Sequence, residues 1–208
     1  MHIILDNGHG GIINGVYQTA GKRSPKWEDG RQLFEGDFNR TVVNSIANMC
    51  IVHNIPFTIL VPELKDISLS ERVKRANEIY KDKRDSILIS VHANAGGGTG
   101  FEMFTSKGET KSDAIAETLI NEFGRTIPNF PSQPNVGLYI LPELRLRKNT
   151  SDGDLDKEAQ FYILRKTHCP AVLVECAFMD RYEPDCRLLL DNPSLFARAI
   201  FNGIKNLD

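Results

Sequence analysis

The chain has 208 residues, 41% of them hydrophobic, and a formal net charge of -2. That content supports a real core and argues against disorder, and the charge balance gives no reason to expect a nucleic-acid partner. No apolar run approaches the length needed to cross a bilayer, and no basic and apolar leader precedes the first strand.

Ile3, Ile4 and Leu5 are branched and apolar, as in a buried strand, and they run into Asp6-Asn7-Gly8-His9-Gly10-Gly11. The glycines allow a sharp turn beside the imidazole. In an open α/β sheet, ligands gather outside the carboxyl ends of the strands, which is where His9 would stand. Asn14 to Leu33 shows little periodicity and reads as a long loop, of a kind that is usually functional or mobile. Phe34 to Cys50 follows with apolar residues at Val42, Val43, Ile46, Ala47 and Cys50, the spacing of an amphipathic helix. Glu35 falls at its start, where a carboxylate also complements the helix dipole.

Phe57 to Val61 reads as a strand. Ser68-Leu69-Ser70-Glu71 has the form of a capping box before a helix through Val73, Ala76 and Tyr80. Ser86 to Val91 is a second buried strand, and it ends at His92-Ala93-Asn94-Ala95 before three glycines. Strand, histidine and glycines thus occur twice, which makes a chance loop histidine less credible. Phe101 to Thr105 reads as a strand, with Ser112 capping a helix to Gly124 and a proline-rich loop over 125–134. The charged stretch 145–157 reads as a flap beside a cleft. Phe161 to Leu164 is short and apolar. Ala171 to Val174 forms the last core strand and delivers Glu175 at its end. Asn192-Pro193 starts the final helix, which carries Phe196, Ala199, Ile200, Ile204 and Leu207.

No repeat or linker divides the chain, so one domain over 1–208 is expected. Its four cysteines have no CxxC spacing and read as core or surface thiols. His2, His53 and His168 have no comparable context. What remains is His9, Glu35, His92 and Glu175. Two histidines and a glutamate make a known catalytic zinc set with a fourth position open. A further carboxylate off the metal can move protons. Glu175 emerges from four apolar residues, where an unpaired carboxylate acquires a shifted pKa. There is no HExxH motif.

The segments around His9, Glu35-Gly-Asp-Phe-Asn39, Ser90-Val-His92-Ala-Asn-Ala95 and Pro170-Ala-Val-Leu-Val-Glu175-Cys-Ala-Phe178 together resemble the zinc-dependent N-acetylmuramoyl-L-alanine amidases of the amidase-3 type. Leu69 to Asn77 resembles a helix of that family, and Phe161 to Arg165 the strand before its last motif. Asn7, where the family usually has proline, and Cys176-Ala177 depart from its pattern. The resemblance implies a twisted, mostly parallel (mixed) α/β sheet with helices on both faces. It implies His9, Glu35 and His92 as zinc ligands and Glu175 as the catalytic carboxylate. The expected reaction is hydrolysis of the amide between N-acetylmuramic acid and L-alanine in peptidoglycan. The protein would work as a monomer on the cell wall, in the periplasm or outside the cell, exported by a removed leader or released as a lysin. An inactive wall-binding module and an enzyme for another peptide amide are the alternatives.

Overall fold

A computed structural model describes residues 1–127, 144–149 and 154–207. The apolar runs form the centre of a six-stranded sheet. In chain order its strands are β1 (His2–Asn7), β4 (Phe57–Ile59), β5 (Ser86–Asn94), β6 (Glu102–Thr105), β7 (Lys157–Glu158) and β8 (Ala171–Phe178). A separate hairpin supplies β2 (Ile12–Ile13) and β3 (Val16–Tyr17). The spatial order is β4-β1-β5-β8-β6-β7. The strands β4, β1, β5 and β8 run parallel, and β6 is antiparallel to β8, so the sheet is mixed but mostly parallel.

Alternate residues of the central strands enter two different cores, which is why these strands read as unbroken apolar runs. Ile3, Leu5, Ile87, Ile89, Val91, Val172 and Val174 pack on one face with α1 (Glu35–Val52), α3 (Lys111–Thr126), the short α5 (Arg187–Asp191) and α6 (Pro193–Lys205). Ile4, Leu88, Ala171 and Leu173 pack on the other with α2 (Leu69–Asp82) and α4 (Tyr162–Lys166). All four cysteines are buried and free. No helix among the described residues is long and apolar enough to cross a membrane.

Three local expectations need correction. The segment Phe161–Arg165 is not a strand; it opens α4, because Ile163 and Leu164 face the second core while Phe161 and Tyr162 remain partly exposed. Helix α3 is capped by Thr110 rather than Ser112, through a reciprocal capping box with Asp113. The stretch 14–33 is not structureless. Asn14 (φ 49°) and Gly15 (φ 77°) make the turn of the β2–β3 hairpin, as an Asn-Gly pair between apolar residues would. Further along, Ser24 N–H bonds to Leu33 O at 2.8 Å, and Trp27 Nε1 reaches Cys186 Sγ at 3.2 Å. Part of the expected proline-rich loop, 128–134, and the centre of the expected flap, 150–153, lie outside the described residues.

Candidate active site

The parallel strands end together, and the cavity of about 690 Å³ lies over their carboxyl ends. His9 stands two residues past the end of β1 in a left-handed backbone conformation (φ 65°), uncommon for a residue with a side chain. That conformation is held from both sides of the sheet. From α1, Arg40 Nη1 donates to His9 O at 2.8 Å and Asn39 Nδ2 to Gly8 O at 3.0 Å. From α2, Arg72 donates to Asn7 O at 2.8 Å and to His9 O at 3.2 Å. Arg72 and Asp6 are each 2% exposed and pair at 2.6 Å; Ser90 fills the other Asp6 oxygen at 2.6 Å. A buried charge is tolerated only when paired and hydrogen-bonded in this way.

Gly8 has no side chain for a plain reason: a Cβ there would lie 2.2 Å from the His92 imidazole. Gly36 is equally constrained, since its Cβ would meet Gly10 O at 1.9 Å, so the first turn of α1 sits directly against the glycine turn. This contact brings Glu35 under the two histidines. The exposed N–H groups at the start of α1 are satisfied by the 14–33 segment: Glu35 N–H donates to Lys22 O at 3.0 Å and Gly36 N–H to Tyr17 Oη at 2.8 Å.

Glu35 is 1% exposed. Its Oε1 lies 3.2 Å from His9 Nε2 and 3.0 Å from His92 Nδ1. One donor atom from each of His9, Glu35 and His92 lies within 4.8 Å of the others. Burial pushes the Glu35 carboxyl up, but the hydrogen bonds from His9 and His92 outweigh it and hold the group at about 2. Burial works against a charge on His92, and the Glu35 carboxylate overcomes it and raises the imidazole. Glu35 Oε2 is buried with no hydrogen-bond partner. An orphaned carboxylate oxygen beside two converging imidazoles is the donor set and the unmet need that a zinc-type cation satisfies. The residues fit such an ion.

Glu175 sits opposite His92 in the β5–β8 register and lines the same cavity. Its Oε2 also lacks a partner. Burial raises its carboxyl to about 7, with His92 opposing and Glu35 adding to the shift. On the neighbouring β6 it pairs with Glu102, which is itself held by Arg147 and Lys157, each at 2.5 Å, and by Asn94 at 2.6 Å.

All four residues singled out in the sequence therefore converge. His2 does not join them; it bonds to Thr58 Oγ1 at 2.9 Å. Sequence reasoning missed the Asp6–Arg72–Ser90 support and the Lys22 and Glu102 contributions. Asp6 did carry a signal, as an acid directly continuing an apolar strand, and so did Arg72, on the inner face of an amphipathic helix.

The Amidase_3 family model, N-acetylmuramoyl-L-alanine amidase, matches residues 3–206. The chain is similar to the N-acetylmuramoyl-L-alanine amidase CwlM of Bacillus licheniformis, 26% identical over 98% of this chain and 66% of that protein. It is also similar to the sporulation-specific N-acetylmuramoyl-L-alanine amidase of Bacillus subtilis, 24% identical over 98% of this chain and 65% of that one. It thus spans just under two thirds of these curated relatives. In fold it is similar to the crystal structure of an N-acetylmuramoyl-L-alanine amidase from Clostridium difficile, with a TM-score of 0.71 at 22% identity, covering 98% of this chain and 94% of the other. On the match across nearly its whole length, the chain belongs to the N-acetylmuramoyl-L-alanine amidase family.

Proposed function

We propose that this domain hydrolyses the amide between the lactyl group of N-acetylmuramic acid and L-alanine in peptidoglycan, with zinc held by His9, Glu35 and His92. The observation that carries the reading is the convergence of those three side chains on the cavity floor, with Glu175, whose Oε2 has no hydrogen-bond partner, lining the same cavity. The family match supports the bond that is cut.

Zinc held by His9, Glu35 and His92 would supply a Lewis acid to the scissile carbonyl. Glu175 removes a proton from the attacking water as its oxygen bonds to the carbonyl carbon. It returns that proton to the nitrogen as the carbon–nitrogen bond breaks, leaving a lactyl carboxylate and a free alanine amine. Burial works to raise the Glu175 carboxyl above the usual carboxylate range, the direction a proton carrier needs, while a bound zinc would pull it back down. Among the described residues, no side chain is placed to form an acyl-enzyme. Ser90 donates its hydroxyl to Asp6, and Cys176 is fully buried with its thiol pushed well above the usual range by burial. Asp6, Arg72, Arg40 and Asn39 keep the His9 turn in place. Such a domain acts where peptidoglycan is, outside the cytoplasmic membrane.

The test is a digest of purified cell wall analysed by mass spectrometry, with and without a chelator. Release of stem peptides with free N-terminal alanine, abolished by the chelator and restored by zinc, is expected. Products cut at another bond would overturn the reading.

A further inference from the structure

The cavity extends beyond the candidate metal ligands, and its walls differ in character. On the α2 and α4 side Ile67, Leu69, Phe161 and Tyr162 line it, the last three 53%, 40% and 38% exposed, together with Asp66 and Ser68. On the α1 side it is lined by Lys22. Among the described residues of the wall, Lys22 and Arg72 are the cationic ones, and Arg72 is committed to Asp6. The Lys22 ammonium has no carboxylate at ion-pair distance among the described residues.

Lys22 is exposed, but its backbone is not loose. Its N–H donates to Thr19 O at 2.8 Å, and its carbonyl accepts from Tyr17 Oη at 2.8 Å and from Glu35 N–H at 3.0 Å. The residue is therefore fixed to the first turn of α1, one hydrogen bond away from Glu35. Its positive charge reaches Glu175, where it counters the effect of burial. A lysine left unpaired in a wet cleft is often only solvated. Here the backbone is anchored at three points, the residue lines the same cavity as the candidate ligands, and the opposite wall carries Ile67, Leu69, Phe161 and Tyr162 beside the polar Asp66 and Ser68. Apolar walls with a few placed polar groups are what orient an unsymmetrical ligand.

The substrate of the proposed reaction is unsymmetrical in the matching way. On one side of the scissile amide is a sugar. On the other, the second residue of the stem is a glutamate joined through its side-chain carboxyl, which leaves its α-carboxyl free or amidated. Two extended residues span roughly 7 Å, so that carboxyl falls within a lysine's reach of the scissile bond.

We propose that Lys22 is a specificity-determining residue that pairs with this α-carboxylate, placing the peptide on the α1 side and the sugar on the α2 and α4 side, so that stems with a free carboxylate are preferred over amidated ones. The inference rests on the amidase reading. An ion pair formed in a partly dry cleft, and present equally before and during reaction, acts on binding rather than on the chemical step.

The experiment uses two synthetic muramoyl peptides that differ only in this group, carboxylate or amide, with the zinc-loaded protein. The wild type is expected to favour the carboxylate about tenfold in kcat/KM, carried by KM and weakened by salt, as for a charge-assisted hydrogen bond. In Lys22→Gln the ratio between the substrates should fall to about one; Lys22→Arg should keep most of it, and Lys22→Glu should invert it. Zinc content, read in parallel, should be the same in all four proteins, because the main-chain bonds to Glu35 remain. Equal use of both substrates by the wild type overturns the proposal, as does a Lys22→Gln loss shared equally by both substrates. Failure of the zinc-loaded wild type to cleave either peptide would instead overturn the amidase reading, and this inference with it.

Discussion

Removing the Arg72 guanidinium should destabilise the floor of the site, although Arg72 is itself no candidate ligand. In Arg72→Met the Asp6 carboxylate stays buried, with only the Ser90 hydroxyl at 2.6 Å for company. Asn7 O and Ile67 O lose bonds of 2.8 and 2.9 Å, and His9 O keeps only Arg40. Breaking a buried pair from one side costs about 3–5 kcal/mol. That is a large share of a domain stability of roughly 5–15 kcal/mol. With a urea dependence of about 1–3 kcal/mol per molar, the unfolding midpoint should drop by about 2 M. Asp6→Asn leaves Arg72 with the more distant Asp66 carboxylate at 3.7 Å and its carbonyl acceptors, and should cost less than Arg72→Met. The double variant should then cost less than the sum of the two, because neither charge is left unpaired. The His9 turn also loses a support, so zinc affinity should fall by about 10–100-fold, as for other groups that orient metal ligands. A midpoint unchanged in Arg72→Met, or strict additivity in the double variant, would refute the account of how the turn is held.

Other perturbations give separate readings. Gly8→Ala should lower zinc content by displacing His92, since the new methyl would overlap its imidazole at 2.2 Å; unchanged zinc titration would show that the close approach is not required. Asp156 is raised to about 6 by burial and by the carboxylates of Asp154 and Asp113, against the hydrogen bond from Thr105. Because the folded value lies above the unfolded one, its stabilising effect is full below about pH 4 and lost as pH rises through about 6. Asp156→Asn should therefore raise the melting temperature at neutral pH and change little at acid pH, and a loss of stability at neutral pH would contradict this.

Much of the site was legible because its residues stand at boundaries that local chemistry marks. An apolar run ending at His9 or His92 among glycines announces a strand end, and Glu175 announces itself by following four apolar residues. Other features depend on what lies far away in the chain. Strand β6 is antiparallel to β8, and nothing in Phe101 to Thr105 encodes its direction. The run Phe161 to Leu164 is too short for periodicity to separate helix from strand, and the apolar surface of α2 and β8 decides it. The Asn14-Gly15 turn between Ile12-Ile13 and Val16-Tyr17 was readable, but its two-residue strands are too short to show a period of two. Arg72 and Asp6 could each be seen as misplaced charges; only the fold shows that they answer one another across 66 residues.

The division of labour between the two carboxylates is most directly tested by Glu175→Gln, assayed for zinc content and for cleavage of the muramoyl–alanine amide in the same preparation. The amide keeps the shape of the side chain but cannot accept a proton from water. The expected protein is folded and fully loaded with zinc, and slower by at least about a hundredfold, the scale of lost general acid–base help. Cleavage at the wild-type rate, or loss of zinc from Glu175→Gln while Glu35→Gln keeps it, would contradict the assignment.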